Sequence, residues 1–119
     1  MASDIYSLDF NPNILSTKQE ELGLEFSDND TAVELMKKEE KMIIAELTLE
    51  HSKKSSYKNS TELNGHIYSD EKYKQWFDRY KPVLKARNRS KVRYETFKAF
   101  RDDLRTKVVN ERELAKNNL

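Results

Sequence analysis

The chain has 119 residues, of which 36% are hydrophobic and 36% are charged, and it contains only two glycines, two prolines and no cysteine. This length suits one small domain. The scarcity of turn residues argues against a β-rich fold and favours long helices with exposed, charged faces. The lack of cysteine excludes disulfides and thiolate metal sites.

Membrane and secretory classes are also disfavoured. The sequence has no apolar run of about 18 residues, so we expect no transmembrane helix and no membrane partner. The N-terminal segment MASDIYSLDFNPN has neither the basic region nor the apolar region of a secretory signal. We therefore predict an intracellular protein, located in the host cytoplasm if the chain is viral.

Residues 1–28 contain scattered large apolar side chains together with Pro12 and Gly23. We interpret this segment as an irregular N-terminal arm with one short helix near residues 16–22. It is too apolar for a disordered tail, so we expect it to dock on another part of the structure.

The remaining residues, 29–119, predict a helical hairpin. The first helix spans about residues 30–57, with Asp28 or Asp30 as its N-cap. Its apolar stripe recurs at three-, four- and seven-residue steps and is interrupted by Glu40. The members of this stripe are Val33, Met36, Ile43 and Leu47. The following stretch, NSTELNGHIYSD, is typical of a connecting loop.

The second helical region is predicted over about residues 70–116, with Ser69–Asp70 as its capping pair. Pro82 should break or kink this helix, because proline lacks the amide donor and clashes with the preceding turn. The predicted stripe of this helix has two apolar parts separated by a polar interruption at Arg87, Ser90 and Lys91. Its apolar members are Tyr73, Trp76 with Phe77, Tyr80, Val83 with Leu84, Tyr94, Phe97, Leu104 and Val108.

An antiparallel pairing that sets residue 57, the end of the first helix, opposite residue 70, the start of the second, also places Ile43 opposite Leu84 and Leu47 opposite Tyr80. The same register places Glu40 opposite Arg87. We therefore predict a buried polar layer that fixes the register. Its members are Glu40, Arg87 and Lys91.

In this register the second helix overhangs the first from about Phe97 onward, by about 30 Å at ~1.5 Å per residue. The apolar side chains of the overhang must be covered by the N-terminal arm or by another subunit. We expect a homo-oligomer. The predicted fold class is therefore all-α, a long antiparallel helical hairpin with an irregular N-terminal arm, assembled as an oligomer.

The net charge of +1 hides a strong asymmetry between the two halves. Residues 1–58 carry 7 Lys and Arg against 12 Asp and Glu, whereas residues 59–119 carry 15 against 9. A chain divided in this way can pair its halves internally or present its basic half to a polyanion. Both interpretations remain open at this point.

The basic character is concentrated between Arg79 and Arg93, where fifteen residues contain seven cations and no acid. Four of the cations recur every fourth residue, so we place them on one helix face: Lys81, Lys85, Arg89 and Arg93. Such a row suits a phosphate backbone, because each phosphate that is neutralised releases a counterion. The alternative is an ordinary solvated helix face.

Aromatic residues alternate with these cations, as in proteins that stack bases of single-stranded nucleic acid on rings. At helical spacing most of these rings are expected to form core. Tyr80 and Tyr94 are the candidates for base stacking. No signature of sequence-specific base reading is present, so any contact would involve phosphates and stacking.

Catalytic and metal-binding patterns are missing from the sequence. His51 and His66 lack zinc-ligand spacing and are read as surface imidazoles. Asp102 and Asp103 are neighbours on a helix, where their side chains diverge by about 100° and cannot converge on one ion. We predict no catalytic residue, no metal and no cofactor.

Four features stand out in the segment from residue 70 to residue 116: a tyrosine-containing segment, a Lys-Ala-Arg step, a Tyr-Glu-x-Phe-like step and a basic C-terminal helix. The residues that form them are Tyr80, Lys85–Ala86–Arg87, Tyr94–Glu95–Thr96–Phe97 and Arg105. In these features the segment resembles small helical phage proteins of the UvsY type, which are recombination mediators.

This resemblance implies a non-enzymatic, oligomeric protein that binds single-stranded DNA and helps to load a recombinase. DNA contact in that family is attributed to basic residues of the helical region, which correspond here to Lys81, Lys85, Arg89 and Arg93. RNA in place of DNA remains open. The alternative is a helical protein-interaction module, such as an adaptor, an assembly scaffold or an inhibitor of a host defence enzyme, whose basic face docks on an acidic protein surface.

Overall fold

The structure is a computed structural model that describes residues 11–54 and 59–117. These residues form three helices and no strand: α1 is Pro12–Lys54, α2 is Ser60–Ser69 and α3 is Glu71–Asn117. The predicted all-α fold is therefore confirmed. The helices pack into two compact units. We call residues 11–27 with 88–117 the end unit, and residues 28–54 with 59–87 the central unit.

The prediction of an irregular arm is wrong for residues 12–28, because α1 begins at Pro12. Asn11 is the residue before this helix, and its side-chain oxygen accepts a hydrogen bond of 2.9 Å from the backbone N–H of Asn13. Proline suits the first helical position because the amide it lacks would have no partner there. An Asn-Pro pair of this kind starts a helix. The first ten residues of the predicted arm lie outside the described residues.

Asp28 and Asp30 were predicted as N-caps but lie inside α1. Their segment, SDND, has low helix propensity because short polar side chains compete for backbone hydrogen bonds. Within the central unit, contacts to α3 compensate for this weakness. Asn29 donates a hydrogen bond of 3.5 Å to the carbonyl of Ala86, and the carboxylate of Asp30 lies 3.6 Å from Nη1 of Arg87.

The predicted connecting loop contains a helix, α2, so this prediction is wrong from residue 60 onward. Asn59 caps α2, since its side chain accepts a hydrogen bond of 2.9 Å from the backbone N–H of Glu62. Glu62 places a negative charge in the first turn, where the helix dipole favours it. On its inner side α2 buries Ile67, which is 2% exposed.

The start of α3 is confirmed at the Ser69–Asp70 pair. Asp70 accepts a hydrogen bond of 2.9 Å from the backbone N–H of Lys72 and thereby caps the helix. Of the two alternatives predicted at Pro82, a break is wrong, because α3 continues through this residue, whereas a kink stays a prediction. Pro82 is exposed, so water can reach the carbonyl that loses its amide partner.

The core of the end unit joins the two long helices. Leu15 and Leu22 of α1 are buried together with Phe97 of α3, and Tyr94, Phe100 and Leu104 pack against them. The overhang is therefore covered from Phe97 to Leu104 by the segment that was predicted as the N-terminal arm. The expected docking of this segment is confirmed, although the segment forms the first turns of α1 instead of an irregular arm. Val108, at 38% exposure, lies beyond this cover.

A close approach of the two helices occurs at Gly23 in the same unit. A Cβ atom added to this residue would lie 3.3 Å from Cε2 of Tyr94. The missing side chain therefore lets the tyrosine ring lie against the backbone of α1. This contact gives a physical reason for a glycine within a helix, where it otherwise costs stability.

The core of the central unit is formed by residues of all three helices. Val33 and Leu47 of α1, Ile67 of α2 and Trp76 of α3 are each at most 2% exposed. The indole N–H of Trp76 donates a hydrogen bond of 2.9 Å to the carbonyl of Met36. Since Val33 and Leu47 belong to the predicted stripe of the first helix, that assignment is confirmed.

The predicted register between α1 and α3 is wrong, and with it the polar layer. In the central unit Glu40 accepts a hydrogen bond of 2.8 Å from the hydroxyl of Tyr73, and Arg87 pairs with Asp30. Arg87 therefore meets α1 ten residues before the expected partner. Lys91, the third member of the layer, is exposed in the end unit. The prediction set the ends of the two long helices opposite each other across a loop, whereas a helix, α2, lies between them along the chain.

Two glycine substitutions test the close approach in the end unit. We expect Gly65→Ala in α2 to raise the free energy of unfolding by about 0.5–1 kcal/mol, since alanine favours a helix and no described atom lies within 4 Å of the added Cβ. We expect Gly23→Ala to give a smaller gain or a loss, because the ring of Tyr94 must shift. Urea denaturation measures both values. Equal stabilisation by the two substitutions would contradict the close approach.

The cap of α3 leads to a pH-dependent prediction. The backbone N–H of Lys72, and then the hydrogen bond and charge of His51, lower the pKa of Asp70 below its usual value of 3.8. A lowered pKa means that the charged carboxylate stabilises the fold above about pH 4, and that this contribution is lost as the pH falls further.

We expect Asp70→Ala to lower the free energy of unfolding by about 1 kcal/mol at pH 7. The difference from the natural protein should shrink as the pH falls below about 4. Asp70→Asn is the matched control, because it keeps an acceptor at the cap but has no charge to titrate. If the free energy of unfolding of Asp70→Ala stayed below that of the natural protein by the same amount down to pH 2, the role of the carboxylate would be contradicted.

Candidate nucleic-acid interface

The acid-free stretch lies entirely within α3, and four of its seven cations contact acidic side chains. In the central unit Arg79 makes a two-pronged contact with Glu39, at 2.6 and 3.3 Å, Lys81 lies 3.2 Å from Asp78, and Arg87 pairs with Asp30. In the end unit Arg93 lies 3.3 Å from Glu25. Two of the predicted site residues, Lys81 and Arg93, are therefore partly neutralised.

Helix geometry explains why the predicted row of cations does not share one environment. Each step of four residues turns about 40° around an α-helix, because a full turn takes 3.6 residues. The row therefore winds around α3. In the central unit Lys81 and Lys85 are exposed, while in the end unit Arg93 reaches the side that faces Glu25 of α1.

Three cations of the stretch remain exposed without an acidic partner among the described residues. They are Lys85 in the central unit and Arg89 and Lys91 in the end unit. Lys91, predicted to point inward, is thus one of the accessible cations. Cations in this state can neutralise phosphates without first breaking an ion pair, although exposed ion pairs are weak and cost little to break.

The two tyrosines predicted to stack on bases contribute to packing. Tyr80 is half-buried and stacks on Trp76, with ring centroids 4.9 Å apart and an angle of 14° between the rings. Tyr94 is also half-buried, and its ring lies against Gly23 in the end unit. Packed rings of this kind stabilise the fold. Both tyrosines therefore have a packing role, and their role in base stacking stays a prediction.

Among residues 11–54 and 59–117, the aromatic side chains with the largest exposed fraction are Tyr68 and Phe77, which were not among the predicted site residues. They are 51% and 44% exposed and line a depression of about 310 Å³ in the central unit, together with Tyr73, Lys74 and Asp78. Tyr68 lies in α2, in the segment predicted as a loop, so its proximity to α3 was not visible in the sequence. Phe77 was assigned to the core stripe next to Trp76.

Tyr73 forms the fixed part of this depression. Its ring packs edge-on against Tyr68, with centroids 5.0 Å apart, and its hydroxyl donates to Glu40. Burial and the bond to Glu40 raise the pKa of Tyr73 to about 12. The phenol therefore keeps its proton at physiological pH and donates a hydrogen bond to Glu40. Tyr73 therefore anchors the exposed ring of Tyr68.

The two histidines lie close together at the junction of α1, α2 and α3 in the central unit. Their ring centroids are 6.1 Å apart, and Nε2 of His51 lies 3.0 Å from Oδ2 of Asp70. This contact links His51 to the cap of α3. Over residues 11–54 and 59–117, no group of three His, Asp or Glu side chains is placed to hold a metal ion.

A second exposed surface lies on α1 in the central unit. Leu35, Met42 and Leu49 are 60%, 71% and 58% exposed and recur every seven residues. This spacing places them on one face of the helix, as in the seam of a coiled coil. We call these three residues the apolar row.

Among the described helices, none is long and apolar enough to cross a membrane. Comparison of the chain with protein-family models, with curated proteins and with solved structures finds no match.

Proposed function

We propose that the protein is a non-enzymatic accessory protein that binds single-stranded nucleic acid through the cations of α3. The observation that carries this proposal is the set of three accessible cations in the acid-free stretch, Lys85, Arg89 and Lys91. Lys81 and Arg93 add to the binding by exchanging an exposed carboxylate for a phosphate. Affinity of this type is largely electrostatic and independent of sequence.

The biological setting proposed for this activity is DNA recombination or replication in a phage, with a recombinase or another protein as partner. The support is the resemblance of residues 70–116 to recombination mediators of the UvsY type. Single-stranded DNA is the favoured ligand on this ground, and single-stranded RNA offers the same phosphates and bases. The absence of any sequence-reading motif agrees with an accessory role along the strand.

Salt dependence of binding tests the proposal. We expect a labelled oligothymidylate to bind at low salt, and the affinity to fall as salt rises, with a slope of about −0.7 for each phosphate that is neutralised. Replacement of Lys85, Arg89 and Lys91 by alanine should reduce the size of this slope by about 2. Fluorescence anisotropy at a series of salt concentrations measures the slope.

The matched control replaces three exposed lysines of α1 by alanine, namely Lys38, Lys41 and Lys53. It removes the same net charge, so a loss of binding in both triple variants would indicate a general charge effect instead of a site on α3. Absence of binding by the natural protein at low salt would refute the proposal.

A second candidate function is favoured by the apolar row, namely a helical module that acts by assembling with copies of itself or with another protein. Exposed leucine and methionine at seven-residue spacing are costly in water, and their burial against another helix is favourable. The wider possibilities are an adaptor, a scaffold or an inhibitor of a host defence enzyme, with the basic helix docking on an acidic protein surface. A homo-oligomer that binds a strand would combine both functions.

Solution mass tests the second candidate. We expect sedimentation equilibrium to give a mass above that of a single 14.1 kDa chain, and we expect Met42→Glu to shift it to the monomer because a charge would be buried between helices. Lys41→Glu changes the charge of the neighbouring exposed residue and should keep the assembly. A natural protein that is monomeric at all accessible concentrations would contradict self-association through this row.

A further inference from the structure

The depression of the central unit combines exposed rings with cations on one side of the molecule. Phe77 and Tyr68 are each about half exposed, although the chain buries rings of similar size such as Trp76 and Phe97 almost completely. Exposed aromatic surface of this extent is costly in water unless a ligand covers it. The open depression of about 310 Å³ between these rings gives a flat ligand access to them.

Cations flank the rings along α3. Lys74 lines the depression, and the ammonium of Lys81 lies over the ring of Phe77, 5.1 Å from its centroid. Lys85 follows one turn later and is exposed. Asp78 also lines the depression and pairs with Lys81 at 3.2 Å. The depression therefore combines aromatic rings with cations of α3 and one acid.

We infer that this depression is a base-stacking site for single-stranded nucleic acid. A base stacks on the rings of Phe77 and Tyr68, while the ammonium groups of Lys74 and Lys81 hold the adjacent phosphates. The inference rests on the proposed function and names the part of the surface that contacts bases. Single-strand binders combine these two elements, since cations follow the phosphates while rings accept bases of any identity. Charge complementarity to a phosphate chain favours this ligand over an apolar peptide.

Lys81 has a dual role in this site. In the free protein its ammonium shields the ring of Phe77 through a cation–π contact and is held by Asp78. When a base occupies the ring, the flexible stem of Lys81 lets the ammonium move to the neighbouring phosphate. Asp78 opposes this transfer, because it attracts Lys81 and repels the phosphate.

The test compares two labelled strands of equal length at one salt concentration, an oligothymidylate and an abasic strand that has the same phosphates but no bases. We expect the natural protein to bind the oligothymidylate about tenfold or more tightly than the abasic strand. Phe77→Leu should abolish this preference and leave the affinity for the abasic strand unchanged. Phe77→Tyr, which keeps a ring, should retain the preference.

Circular dichroism verifies that each variant remains helical, and Tyr68→Leu serves as the second variant if Phe77→Leu does not fold. A natural protein that binds both strands equally, or leucine variants that keep the preference for bases, would overturn the stacking site while phosphate binding by α3 stands. Failure of both strands to bind at low salt would overturn the proposed function as well, and would leave an acidic protein as the partner of these cations.

Asp78→Asn provides an independent measure of the same site. We expect it to raise the affinity for the oligothymidylate about two- to fivefold at low salt, since it releases Lys81 and removes a repulsive charge. Glu95→Gln removes one acid at the other end of the acid-free stretch and should have a smaller effect. An unchanged or lowered affinity of Asp78→Asn would count against the role given to Lys81.

Discussion

The hydrogen bond from the indole of Trp76 to the carbonyl of Met36 is the constraint on which the central unit depends. A tryptophan that is 2% exposed must find an acceptor for its N–H, because an unpaired polar group in the core is costly. This bond fixes one point of α3 against one point of α1. From there the antiparallel course of the helices brings Tyr73 to Glu40, Arg79 to Glu39 and Arg87 to Asp30.

The same register decides how the charge asymmetry of the chain is used. The acidic half and the basic half pair with each other at several points, and the contacts of Arg79 and Arg87 in the central unit and of Arg93 in the end unit are examples. The pairing is incomplete, because α3 carries more cations than the acids of α1 can reach. The two halves of the chain therefore pair with each other in part, and the cations of α3 that have no acidic partner among the described residues leave an accessible basic surface. The proposed binding of a polyanion rests on this surface.

Predictions from the sequence were correct where a structural feature depends only on residues a few positions apart in the chain. The stripe of Val33 and Leu47 and the cap at Asp70 could be predicted because both follow from helix periodicity and from hydrogen bonds within a few residues. Signals for the start of a helix are also present at Asn11–Pro12 and at Asn59 with Glu62. The proline, glycine and serine residues near them led instead to the predictions of an irregular arm and of a connecting loop. At Asp28 and Asp30 the error was the opposite one, because a helix start was predicted where the helix continues. Contacts with α3 hold this polar stretch in a helix.

The helical fold, the concentration of charge and the helix that carries the acid-free stretch all follow from the order of the residues alone. Which cations are accessible and which rings are exposed depends on how the helices pack against each other. Tyr80 stacks on Trp76 while Phe77, three residues before it, opens to solvent beside Tyr68 of α2. The physical reason is that spacing along one helix gives the direction of a side chain but not the element that faces it. That element depends on the register and on a short helix, α2, whose packing partners are distant in sequence.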